Sequence, residues 1–151
     1  MSPPAVWGPH LWAFLHAFAA RVGKGTTPAV QADEKREGLW LADHLDMVIP
    51  CKECRAHWKA YRKAFPGSAT AEWMVEAHNV VNRKLGKAEW TAEPPLAGNV
   101  KELWAAYLTS IRDSLAQGHL KGDHVATFAT SYSLREQKSA TAVHYKICWC
   151  C

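Results

Sequence analysis

Cys51 and Cys54 are two residues apart in the stretch PCKECRAHW, residues 50 to 58, between a proline and a run of helix-forming residues. Three chemistries are open to such a pair: a metal clamp, a structural staple and a redox couple. Zinc asks for four ligands, usually two close pairs a dozen or two residues apart. CKECRAH offers one pair plus His57, and the next cysteines, Cys148, Cys150 and Cys151, lie too far along the chain for an ordinary finger. A staple closing so small a ring restrains few residues of the unfolded chain and adds little stability. The redox reading has an electrostatic cause. A helix that opens at Cys51 puts both sulfurs in its first turn, where unpaired backbone N–H groups and the positive end of the dipole favour thiolate over thiol. Such a dithiol can be attacked, form a mixed disulfide and resolve itself. Thioredoxin-like proteins set this device after a strand of a βαβ unit; nothing in this sequence reads that way, so the pair needs another electron acceptor.

The elements that must position the pair read as helices. Leu11, Leu15, Phe18 and Val22 recur at spacings of four, three and four, which predicts a helix from Pro9 to Val22, with Trp12 and His16 together beside the stripe. A second covers roughly 31–47 with Leu39, Leu41, Leu45 and Val48 inward, stopped by Pro50. The third runs from Cys51 to Ala64 and ends at Pro66 and Gly67. A fourth, Ala71 to Leu85, carries Trp73, Ala77, Val80, Val81 and Leu85 and meets Gly86 as its C-cap. A fifth, Val100 to Gln117, has Leu103, Tyr107, Ile111 and Leu115 in register. After Gly118 the β-branched and aromatic residues of HVATFATSY and AVHYKICWCC predict a tail or a small strand pair. The expectation is therefore an all-α four-helix bundle with an additional fifth helix over 1–118, and a C-terminal tail with a cysteine cluster over 119–151.

Composition narrows the function. The chain of 151 residues is long enough for one core, and 48% hydrophobic with 21% charged residues is ordinary for a globular protein. Eight tryptophans are not ordinary: they suit a fold that wraps something flat, or equally a core and a partner interface. A net charge of +4, scattered, leaves no nucleic-acid footprint. No segment approaches the roughly 20 apolar residues of a membrane span, and MSPPAVWGPHLW lacks the pattern of a signal peptide. No membrane partner is expected, and the chain is expected to remain in the cytoplasm. Five cysteines leave at least one thiol unpaired or joined to a second chain.

The acceptor is suggested by HNVVNRKLGK, residues 78 to 87, which resembles the flavin-binding signature HNxVNxxLxK of the Erv/ALR family of FAD-linked sulfhydryl oxidases. WGPHLWAFLH, residues 7 to 16, resembles that family's first-helix pattern, and PCKECRAHW matches its active-site segment CxxCxxH. The three motifs occur in the family's order. The resemblance implies a four-helix bundle with a short fifth helix, FAD near the mouth of the bundle, and a homodimer. By motif match Gly8, Trp12, His16, Cys54, His57, His78, Asn79, Val81, Asn82, Lys84 and Lys87 would line the cofactor, with Trp90 beside them. The residue types agree: indole and imidazole planes stack on flat rings, asparagine meets a ring edge, and lysine meets a pyrophosphate. Many members of the family carry a further cysteine after the HNxVN helix that clamps the fifth helix. This chain has AEWTAEPPL there, so packing around Trp90 and the fifth helix must replace the clamp.

The resemblance implies that a substrate dithiol attacks Cys51 and that Cys54 faces the flavin, with dioxygen as final acceptor and hydrogen peroxide as product. Cys148, Cys150 and Cys151 are candidate shuttle thiols; a flexible linker of some thirty residues would reach ~30 Å. The thiols of protein substrates would be the partners, and virus-encoded relatives set the precedent for an oxidase acting in a reducing cytosol. A zinc-dependent helical interaction module and a plain helical adaptor are the rival readings.

Overall fold

The computed structural model describes residues 3–90 and 99–131. Its helices are α1 (Pro4–Ala19), α2 (Pro28–His44), α3 (Lys52–Ala64), α4 (Ala71–Lys84), α5 (Val100–Ser110) and α6 (Arg112–Ala116), with a 3-10 turn over Leu45–Val48. Residues 122–131 are helical too and are labelled α7. No strand occurs among the described residues.

Local chemistry sets the helix starts. Thr27 Oγ1 accepts from Val30 N at 3.3 Å, Thr70 Oγ1 from Trp73 N at 3.3 Å, and Asn99 Oδ1 from Lys101 N and Glu102 N; each satisfies amides that the helix itself leaves unpaired. Gly86 (φ 68°) turns the chain out of α4 in the left-handed conformation that glycine adopts without steric cost. α1 is the axis of the bundle, packed on α5 and α4, while α3 lies on the 3-10 turn and α2. Phe14, Leu15, Leu41, Leu45, Met74, Tyr107, Ile111 and Phe128 are fully buried between them. Burying each such side chain contributes about 1.5–3 kcal/mol before the entropy of ordering it.

The structure corrects the reading at four places. α1 starts at Pro4, not Pro9: proline suits the first turn, and the added turn carries Trp7 onto the buried stripe. Leu39, expected inward, is 37% exposed, and Leu85, placed with the periodic positions of the fourth helix, is 59% exposed. Two residues on a helix turn through about 200°, so Leu39 cannot share a face with buried Leu41; Leu85 caps α4 at the rim of a cavity. The predicted fifth helix breaks at Ile111 into α5 and α6. Just before the break Thr109 Oγ1 donates to Ala105 O at 3.1 Å and Ser110 Oγ to Tyr107 O at 2.6 Å, back-bonds of the kind that bend helices. Finally, the segment expected as a tail or strand pair is helical over 122–131, and Leu120, Val125 and Phe128 enter the core. Its β-branched content is outweighed by the burial of Val125 and Phe128, three residues apart on one helix face.

Candidate functional site

Pro50 holds Ile49 in an extended conformation (φ −88°, ψ 117°), and Cys51 follows as the N-cap of α3. Cys51 and Cys54 are joined as a disulfide with Cα atoms 5.1 Å apart, inside the normal range for such a bond. Cys51 Sγ also accepts the Cys54 backbone N–H at 3.2 Å. On reduction, a thiolate at Cys51 would sit where the first-turn amide and the helix dipole stabilise negative charge.

The two sulfurs have different surroundings. Cys54 borders a cavity of about 770 Å³ between α1, α3 and α4; Cys51 does not. The volume is that of a site for a sizeable organic ligand. Gly8, Trp12, His16, His57, His78, Val81, Asn82, Lys84 and Lys87, named by motif, border the same cavity, and so does Trp90, expected beside them. Asn79 does not. It is buried and turned to the chain after α4, accepting from Trp90 N at 2.7 Å and donating to Trp90 O at 3.4 Å. Cys148, Cys150 and Cys151 lie outside the described residues.

Trp7, Trp58 and Tyr61 also line the cavity, and sequence reasoning left them out. For two of them the signal was present: Trp58 and Tyr61 stand four and seven residues after Cys54, on the same face of α3. Trp58 is fixed there by its Nε1–H, which donates to Ala42 O at 2.8 Å.

One wall is a stack of flat rings. Trp12 lies on His78 with centroids 4.0 Å apart and planes 11° apart, and His16 lies on Trp90 at 4.3 Å and 24°. His16 Nε2 and His78 Nδ1 are 2.9 Å apart, so one donates and the other accepts. Burial first, then the charge His78 would carry, lowers the pKa of His16 to about 4; burial first, then Lys87, lowers that of His78 to about 4. Both imidazoles are neutral at pH 7, so either ring can supply the unprotonated nitrogen that the shared hydrogen bond requires. His16 Nδ1 is buried on this wall with no hydrogen-bond partner, a position that suits a polar ring atom of a ligand. Mostly apolar walls, planar side chains and the exposed cations Lys84 and Lys87 together fit a flat heteroaromatic group with an anionic portion. For the zinc reading there is no site among the described residues, where no three His, Cys, Asp or Glu side chains converge on one point.

Comparison with known proteins agrees with this geometry. FAD-linked sulfhydryl oxidase ERV1 of Arabidopsis thaliana is 33% identical over 87 residues, 54% of this chain and 44% of that protein. The protein of the same name from Oryza sativa subsp. japonica is 36% identical over 81 residues, 50% of this chain and 40% of that protein. Putative FAD-linked sulfhydryl oxidase 347L of Invertebrate iridescent virus 6 is 27% identical over 96 residues, 56% of this chain and 83% of that protein. The chain thus spans less than half the length of the two plant relatives. No solved structure matches it. The family model described as Erv1 / Alr matches residues 9–105, which include the cysteine pair and most of the cavity wall, and the chain belongs to that family.

Proposed function

We propose that this chain is an FAD-linked sulfhydryl oxidase that forms disulfides in thiol-containing protein substrates. One observation carries the reading: Cys54 borders the cavity that the flavin-motif residues also border, while its bonded partner Cys51 lies outside it. FAD would be held by the rings of Trp12, His16, His78 and Trp90, by Asn82, and by Lys84 and Lys87 for its phosphates, with Gly8, His57 and Val81 completing the wall. Bound there, FAD supplies the acceptor for an electron pair and passes it to dioxygen, which becomes hydrogen peroxide.

The chain's own residues perform the thiol chemistry. A substrate thiolate attacks Cys51 Sγ, forming a mixed disulfide and releasing Cys54 as a thiolate on the cavity side. A second substrate thiolate then attacks the substrate's sulfur in that mixed disulfide. The substrate leaves with its own disulfide, and Cys51 is released as a thiolate beside the Cys54 N–H. Cys148, Cys150 and Cys151 belong to this reading as shuttle thiols, and replacing all three by serine should slow oxidation of a protein substrate but not of dithiothreitol. The reading also includes a homodimer, which sedimentation tests. It does not depend on compartment, since relatives so named include mitochondrial proteins of two yeasts and the viral one. No described helix is long and apolar enough to cross a membrane.

The test is the visible spectrum of the purified protein together with oxygen consumption. Flavin bands, and dithiothreitol-dependent oxygen uptake matched by peroxide, are expected. A colourless protein that takes up no FAD and consumes no oxygen with dithiol would sink the proposal.

A further inference from the structure

In the turn before Cys51, two backbone carbonyls accept hydrogen bonds from side chains. Tyr107, fully buried in α5, donates its hydroxyl to Val48 O. Arg55 Nη1 donates to Ile49 O at 2.8 Å. The same nitrogen of Arg55 is 3.4 Å from His119 O, which lies beyond the family-matched span of 9–105. His119 is part of the connection into α7: its N–H donates to Ser114 O at 2.9 Å, and Leu120, Val125 and Phe128 after it are buried. Arg55 stands one helical turn from Cys51, and its own N–H donates to Cys51 O at 2.9 Å.

We propose that Arg55 is a positioning residue for the redox pair, and that through it the docked segment 119–131 sets how readily the Cys51–Cys54 bond is reduced. A guanidinium carries five N–H donors in one plane and can grip two carbonyls at once. Ile49 O and His119 O are those two, so the cation is fixed between the turn that carries Cys51 and the C-terminal segment. Reduction creates negative charge at Cys51 Sγ, which gains from the Cys54 N–H and from a cation held one turn along. Undocking the segment removes one of the two carbonyls. The Arg55 side chain then regains rotamers, the turn before Cys51 loosens, and the thiolate loses part of its support. The disulfide becomes harder to reduce.

The inference rests on Cys51–Cys54 being the redox pair of the reading above, and its test uses a different measurement. The full chain is equilibrated in glutathione redox buffers, and the dithiol fraction is counted by thiol alkylation and mass. Arg55→Ala is expected to shift the equilibrium about tenfold toward the disulfide, about 30 mV more negative in midpoint. Arg55→Lys, which keeps the charge and one carbonyl, should recover part of that shift. Phe128→Leu should shift the wild-type equilibrium in the same direction and add nothing in the Arg55→Ala background, because both changes act through one contact. Val125→Ala serves as the milder variant if Phe128→Leu lowers helical content. An unchanged midpoint in Arg55→Ala, or shifts that sum in the double variant, overturns the proposal. A protein that shows these shifts but consumes no oxygen with dithiol overturns the oxidase reading and leaves this inference standing.

Discussion

The two sulfurs of the Cys51–Cys54 pair differ in surroundings more than in exposure. Cys54 faces the cavity and Cys51 caps α3, so replacing each by serine should give unlike proteins. Cys54→Ser should bind flavin that dithiol cannot reduce, and normal turnover by this variant would end the assignment. Cys51→Ser should be equally inactive yet leave Cys54 as an unpaired thiolate on the cavity side, seen as a broad long-wavelength absorbance; exchange of the two phenotypes would reverse the roles. The histidines give a second prediction. His16 and His78 each titrate near 6.5 when unfolded and are lowered to about 4 in the fold, chiefly by burial. The unfolded chain therefore binds more protons than the folded one between those values. Stability contributed by the neutral pair is fully present above pH 6.5, is lost as pH falls toward about 4, and falls no further below it. The urea midpoint of the apoprotein should follow that course, and His16→Gln/His78→Gln should flatten it. A midpoint in the wild type that is level from pH 7 to pH 4.5 would contradict the buried neutral pair. Motif matching placed both rings at the site. Their contact joins positions 62 apart, which no local pattern encodes.

Helix periodicity was a good guide to which faces pack and a poor one to where elements stop. The stripe Leu11, Leu15, Phe18 and Val22 is buried throughout, because a spacing of three and four leaves a helix one way to face a core. The break at Ile111 was invisible, since it depends on whether Thr109 and Ser110 turn their hydroxyls to solvent or to the backbone. Asn79 shows the same limit at the site. Its place in the HNxVN pattern suggested a cofactor contact, whereas the fold turns it to clamp the chain after α4. That clamp holds the backbone of Trp90, whose ring closes the aromatic wall over His16 and His78. With no nearby cysteine to fix this stretch, the two Asn79–Trp90 hydrogen bonds carry the task. Asn79→Ala leaves half-buried backbone groups of Trp90 without their side-chain partner and should cost about 1 kcal/mol. It should also loosen flavin binding several-fold, measured as flavin released on dilution. Retention equal to wild type would show that Trp90 is held by its ring contacts alone.

At the scale of the molecule, the open question from sequence was whether the chain ends its fold at Gly118. Glycine there, with φ 77°, does end α6, but the chain turns back rather than away. Phe128 is fully buried, with its ring 5.5 Å from Trp40 and 5.3 Å from Trp104, and Trp104 in turn lies 5.1 Å from Phe14 of α1. One aromatic chain thus joins α2, α5 and α1 to α7. Threonines and a valine made 122–131 look extended, and only the partners of Val125 and Phe128, distant in sequence, show why it coils. If α7 is an integral layer, Phe128→Ala opens a cavity among three helices and should cost about 3–5 kcal/mol, lowering Tm by about 10 °C for a chain of this size. His124, exposed on the same helix, is the internal comparison: His124→Ala should stay within about 0.5 kcal/mol of wild type. If α7 were an appended arm, the two substitutions would be equally mild, because an arm can undock without opening the core. A large loss for Phe128 beside none for His124 therefore separates a seventh helix of the bundle from a tail resting on it.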